Sequence, residues 1–118
     1  MKYLIIMLLS FGILSAEISE AEIASTEYLI IDFYADWCGP CKQFGPVFDK
    51  VKTELSSKYR FEKMNIDKDG KELSKTYKVS SVPTILFFKK GAIVGREVGG
   101  MSESTFISKI NKHFVSSS

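Results

Sequence analysis

Apolar and polar positions along this chain follow two periods, and the switches between them mark out its elements. Residues 28–35 are rich in Ile, Phe and Tyr and carry one charge, Asp32, which predicts a strand covered on both faces and therefore central. From Cys41 the apolar residues Cys41, Phe44, Phe48, Val51 and Leu55 recur at spacings of three and four, the mark of one buried helix face. Pro46 lies inside that pattern; it removes a backbone donor and crowds the preceding turn, so a bend is expected near Phe44. Residues 60–67 read as a further strand, stopped by Asp69-Gly70. Two capping patterns follow from side-chain chemistry: Ser19-x-x-Glu22 predicts a short helix over residues 20–26, and Asp69-x-x-Glu72 predicts another that carries Leu73 and Tyr77. Residues 84–88 and 92–98 flank the turn Lys89-Lys90-Gly91 as an antiparallel hairpin ended by Gly99-Gly100. Ser102 caps a last helix with Phe106, Ile107, Ile110 and Phe114 on one face, and residues 116–118 should fray. The order of elements implies an α/β sandwich, a mixed sheet with helices on both sides.

The first residues stand apart. Lys2 precedes an uncharged, mostly apolar run over residues 3–16, the layout of an export signal, with cleavage sites at Leu14-Ser15-Ala16 and Ser19-Glu20-Ala21. As a helix this run would span about 21 Å, short of the roughly 30 Å of bilayer hydrocarbon, so no stable membrane span is expected. The alternative is a core strand over residues 3–9 followed by a helix with Phe11, Leu14, Ile18 and Ala21 on one face. We read residues 1–16 as a signal peptide, or else as the native first strand, and residues 17–118 as one domain.

Composition changes this picture little. At 118 residues the chain has room for one core. Its 16 Lys and Arg are interspersed with 14 Asp and Glu, which disfavours nucleic-acid binding because no basic face is concentrated anywhere. The two cysteines, three positions apart, are too few for a disulfide-stapled scaffold. They are also only half of a structural zinc site, and His113, expected on the surface of the last helix, does not complete it.

The chemistry concentrates in Trp37-Cys38-Gly39-Pro40-Cys41, between the central strand and the periodic helix. A cysteine at the opening of a helix meets unpaired backbone N–H groups and the positive end of the helix dipole, which favour its thiolate. Two intervening residues bring both sulfurs within bonding reach once the first helical turn forms. Gly39 permits the close approach, while Pro40 suits a first turn in which its missing N–H costs nothing.

These residues, with Asp32-Phe33-Tyr34-Ala35 before them and Val82-Pro83-Thr84 after, resemble the thioredoxin family over roughly residues 28–114. The resemblance implies a three-layer thioredoxin-like sandwich with a central mixed sheet, and a protein-disulfide reductase without cofactor. Cys38 would attack a substrate disulfide, and a more deeply buried Cys41 would resolve the mixed disulfide. The family places a proton relay at the position of Asp32, with Lys63 as its partner; otherwise Asp32 would belong to a structural ion pair. Burial in an apolar strand should raise the acid toward working pH. The family also implies a cis bond before Pro83 that presents the Val82 backbone to a substrate strand, with Gly99 and Gly100 keeping the groove open. Trp37 would join Gly39 and Pro40 in the docking surface, whereas Tyr34 is read as a core aromatic. One departure is expected: if the signal is removed, too little chain precedes residue 28 for the family's first strand, and a sheet edge is left open.

The partners implied are disulfide-containing proteins and a separate thioredoxin reductase or other electron donor, since no flavin or nicotinamide motif occurs; the chain itself is expected to be monomeric. Cell redox homeostasis is the expected role. A cleaved signal would place the domain in the secretory pathway, periplasm or exterior, and otherwise it would be cytoplasmic. Two alternatives stay open: an oxidase or isomerase in a secretory compartment, against which the Gly-Pro pair argues by family analogy, and a binding module switched by its redox state.

Overall fold

A computed structural model describes residues 18–115; the expected signal sequence or first strand, and the tail expected to fray, lie outside the described residues. The elements in chain order are α1 (Glu20–Ser25), β1 (Tyr28–Tyr34), α2 (Gly39–Leu55), β2 (Arg60–Asn65), α3 (Lys71–Thr76), β3 (Thr84–Lys89), β4 (Ala92–Val98) and α4 (Glu103–Val115). The strands form one mixed sheet in the order β2-β1-β3-β4, with β1 and β2 parallel and the other pairings antiparallel. β1 is interior, as its apolar run requires, with five consecutive buried residues from Leu29 to Phe33. Among the described residues β2 pairs only with β1.

Side-chain alternation divides the core in two. Ile30, Phe61, Ile85 and Phe87 meet Phe44, Phe48 and Val51 of α2 and Phe106, Ile110 and Phe114 of α4. On the opposite face Leu29, Ile31, Phe33, Leu86 and Phe88 pack with Ile23 of α1 and Leu73 of α3. The first cluster is aromatic and tightly arranged: Phe48 stacks on Phe106 at 5.7 Å and meets Phe61 edge-on at 5.5 Å. Each fully buried ring contributes about 1.5–3 kcal/mol by leaving water, and together they fix α2 over the sheet. Helices on both faces make the three-layer sandwich expected from the sequence. α2 runs unbroken through Pro46.

Local chemistry accounts for most of the boundaries. Ser19 and Glu22 form the expected reciprocal cap, with Glu22 N–H donating to Ser19 Oγ at 3.1 Å and Ser19 N–H to Glu22 Oε1 at 3.2 Å. Ser102 Oγ accepts from Thr105 N–H at 3.2 Å at the start of α4. Two expectations are corrected. Asp69 does not cap α3, whose N-cap is Gly70; the Asp69 carboxylate instead accepts from Asn65 N–H at 2.7 Å, a bond that ties off the end of β2. His113 is not a surface residue. Its ring lies 4.6 Å from that of Phe87, its Nε2 is 2.7 Å from a Glu97 oxygen, and its side chain is only 12% exposed, because Gly95 leaves the space on β4 that the imidazole occupies.

Candidate active site

Cys38 is the N-cap of α2, with extended backbone dihedrals, and its Sγ accepts the Cys41 N–H at 3.2 Å. One of the orphan donors at the helix opening thus points at sulfur, the arrangement that stabilises negative charge there when the pair is reduced. Cys38 and Cys41 are joined as a disulfide, with their Cα atoms 5.3 Å apart. Gly39 and Pro40 occupy the first helical positions, where the missing proline N–H leaves no carbonyl unpaired. The expectation that Cys41 is the more buried partner is not met: the residues are 5% and 4% exposed, Cys41 and Cys38 respectively. What separates them is their neighbours, since Cys38 Sγ lies 3.6 Å from Val82 O on one side, while Cys41 lines a solvent-open cavity on the side of Asp32.

That cavity, of about 590 Å³, is bounded by Asp32, Cys41, Lys42, Asp49 and Lys63, with the half-buried Tyr34 also on its wall. Asp32 reaches it from the face of β1 that α2 covers. It is 1% exposed, and neither carboxylate oxygen has a hydrogen-bond partner. Removal from water therefore pushes its carboxyl up to about 7; Lys63 opposes the rise and Asp49 adds to it. Lys63 sits opposite Asp32 in the β1–β2 register, yet its ammonium bonds Asp49 at 3.2 Å and makes no ion pair with Asp32. The expected direct partnership is replaced by a lysine that acts on Asp32 through the field alone, because α2 supplies a more accessible carboxylate.

On the Cys38 side the Val82-Pro83 peptide is cis. Pro83 O accepts from Gly99 N–H at 2.8 Å, which joins the start of β3 to the end of β4. Gly99 has φ +99, a conformation that favours glycine, and a Cβ there would meet open space. Gly100 differs: a Cβ would lie 3.3 Å from Phe44 Cβ and 3.5 Å from Pro40 O, so it serves close contact with α2 rather than an open groove. Trp37 is 68% exposed beside the disulfide, and its Nε1–H donates to Asp67 at 2.8 Å.

Two sets of residues at this end of the sheet escaped the sequence reading. Val98 is 64% exposed just before Gly99, and its apolar character at a strand end next to Gly99-Gly100 was the available signal. Asp36, Asn65 and Asp67 bond around Trp37 and look like ordinary turn residues in the sequence. Among the described residues no three or more His, Cys, Asp or Glu side chains gather as metal ligands, and no helix is long and apolar enough to cross a membrane.

Comparison with known proteins agrees with this geometry. The protein-family model for Thioredoxin matches residues 12–112. The chain is 43% identical over 101 residues to a thioredoxin of Chlamydia caviae, covering 86% of this chain and 96% of that protein. It is 35% identical over 98 residues to a thioredoxin of Haemophilus influenzae, covering 83% and 91%. Among solved structures, Fasciola hepatica thioredoxin superposes with a TM-score of 0.68 at 30% identity, covering 76% of this chain and 84% of that one. A dithiol pair at the opening of α2, a mixed sheet that carries it, and relatives matched over nearly their whole length lead to one conclusion: the chain belongs to the thioredoxin family and is a thiol-disulfide oxidoreductase of the protein-disulfide reductase type.

Proposed function

We propose that the chain runs in the reducing direction, with Cys38 as nucleophile, Cys41 as resolving thiol and Asp32 as the group that takes the Cys41 proton. The observation that carries this reading is the shared cavity: Cys41 and an unpaired, buried carboxyl raised to about 7 line the same space, while Cys38 adjoins the exposed Trp37 and Val82. The Cys38 thiolate attacks one sulfur of a substrate disulfide; that bond breaks, and the departing thiolate is protonated by solvent. Asp32 then accepts the Cys41 proton, the new thiolate attacks Cys38 Sγ, and the second substrate sulfur leaves. Two electrons pass to the substrate, and the protein disulfide remains. A separate electron donor, a thioredoxin reductase in the family's usual arrangement, returns two electrons and two protons. Lys63 and Asp49 set the charge that Asp32 feels.

A substrate strand docks against the Val82 backbone beside Pro83 and Gly99, with Trp37, Gly39 and Pro40 forming the rim. The domain acts as a monomer. With residues 1–16 cleaved as an export signal, it works in a secretory or periplasmic compartment; N-terminal sequencing of protein from its own source decides this, and an intact Met1-Lys2-Tyr3 start overturns it. The chemical reading is tested by insulin reduction with dithiothreitol as the reductant. Cys38→Ser should abolish turnover, and Cys41→Ser should accumulate a mixed disulfide through Cys38. Turnover that persists in Cys38→Ser defeats the assignment.

A further inference from the structure

Trp37 projects into solvent with 68% of its surface exposed, so contact with a core cannot hold its ring. A side chain with two free torsions would have to be ordered each time a substrate docks, which weakens binding. The indole is instead held by its Nε1–H bond to Asp67 at 2.8 Å. Asp67 sits on the turn after β2, and that turn is organised by one residue. Asn65 is 3% exposed, and each of its polar groups is engaged. Its Oδ1 accepts from Asp67 N–H at 2.9 Å, its Nδ2 donates to Asp36 Oδ1 at 3.1 Å, and its N–H donates to Asp69 at 2.7 Å. Its carbonyl accepts from Lys68 N–H at 3.0 Å and Gly70 N–H at 2.7 Å.

These bonds close a ring. From Trp37 the path runs through the peptide to Asp36, across the carboxylate to the Asn65 amide, on to Asp67 and back to the indole. The salt bridge from Lys68 to Asp36 at 3.0 Å braces one side of it. An amide suits the hub because it donates to Asp36 and accepts from Asp67 at once; neither Asp nor Ala can do both.

We infer that Asn65 is the positioning residue of the docking surface: its side chain locks Trp37 in the orientation that receives a protein substrate, without touching the sulfurs or the substrate. This rests on the reductase reading of the Cys38–Cys41 site. The ring matters for substrates large enough to cover Trp37 and not for small disulfides that reach only Cys38.

The test uses the full chain, whose single tryptophan makes fluorescence report on Trp37 alone. Asn65→Ala should lower the fluorescence anisotropy of Trp37 and raise KM for insulin roughly three- to tenfold. The kcat, and the rate with Ellman's reagent as a small disulfide, should stay within about twofold of the parent. Asp67→Ala should behave alike, and the double variant should be little worse than either single one, because both break one ring. Should Asn65→Ala fail to fold, Asp36→Ala carries the test, since Asp36 is exposed and does not touch the indole, yet its loss opens the ring. Unchanged anisotropy and KM in a folded variant, an equal loss toward insulin and Ellman's reagent, or fully multiplicative effects in the double variant each overturn the inference. A parent protein that cannot reduce insulin would instead defeat the reductase reading, and the anisotropy would still judge the ring.

Discussion

The two sides of the Cys38–Cys41 bond are built on opposite rules. Toward the interior, Asp32 faces a cavity with both carboxylate oxygens unpartnered. On the other side the buried Asn65 has every polar group paired, and the exposed loop above it, which would ordinarily be loose, is knitted into a closed ring. A folded protein ordinarily satisfies what it buries and leaves its surface loops loose. The reversal is instructive. A buried acid without partners is costly, but it has a proton to exchange near neutrality, as the resolving step requires. A satisfied network has nothing to exchange and confers only rigidity, as docking requires. On the proposed mechanism, chemistry and recognition are divided between an unsatisfied underside and a satisfied rim.

The sharpest way to break this contrast is to remove the charge from the underside. The folded-state value of Asp32 is about 7 against an ordinary 3.8, so between these limits the folded protein keeps a proton that the unfolded chain has lost. Its contribution to stability is therefore fully present below about pH 4 and is lost as pH rises through 7. The loss is on the order of 4 kcal/mol, at about 1.4 kcal/mol per pH unit. Asp32→Asn should flatten this part of the stability profile, as measured by urea unfolding from pH 4 to 8, and make the protein more stable than the parent at pH 8. The same variant should slow resolution of the mixed disulfide roughly tenfold or more, because no base remains for the Cys41 proton. A parent profile without a decline between pH 4 and 7 would mean that Asp32 is solvated after all.

A smaller effect is expected at the rim. Gly70 follows the turn that Asn65 organises, and its φ is ordinary, so the glycine is needed for space alone. A Cβ there would lie 2.8 Å from Met64 Cβ and 3.0 Å from Asn65 O, atoms fixed by β2 and the ring. Gly70→Ala should cost about 1–3 kcal/mol in urea unfolding and loosen Trp37 in the anisotropy measurement. Full stability would show the rim to be as accommodating as an ordinary loop.

The two sides also differed in how well the sequence announced them. Asp32 was legible because a charge in an otherwise apolar strand contradicts its surroundings, and Cys38 and Cys41 because their spacing fits one helical turn. The sheet and its helices followed from periodicity for a similar reason: burial on one face leaves a repeat. Nothing comparable marks a hydrogen-bonded ring. Asn65, Asp67 and Asp69 have the composition of any turn, and only the fold decides that Asp69 serves the end of β2 rather than capping α3. The family resemblance implies Lys63 as the partner of Asp32, and the two do lie side by side on β2 and β1, but Lys63 turns to Asp49, a choice that depends on how α2 lies over β2. His113 was misread because its shelter comes from the missing side chain of Gly95, eighteen positions earlier and on another element.

The smallest expected effect sharpens the contrast from the interior side, at Gly45. This residue lies within α2 and on the wall of the cavity, and a Cβ added to it would meet only the end of the Lys63 side chain, at 3.5 Å. That is ordinary contact with a flexible group, quite unlike the rigid backbone that faces Gly70. Replacing Gly by Ala inside a helix stabilises by up to about 1 kcal/mol. Here the following residue is Pro46, whose ring crowds the Cβ of a helical neighbour and offsets part of that gain. Gly45→Ala should therefore change unfolding free energy by less than about 1 kcal/mol in either direction. A loss above about 2 kcal/mol would mean that the wall beside Asp32 is as tightly constrained as the rim, and the division between an open underside and a locked surface would no longer hold.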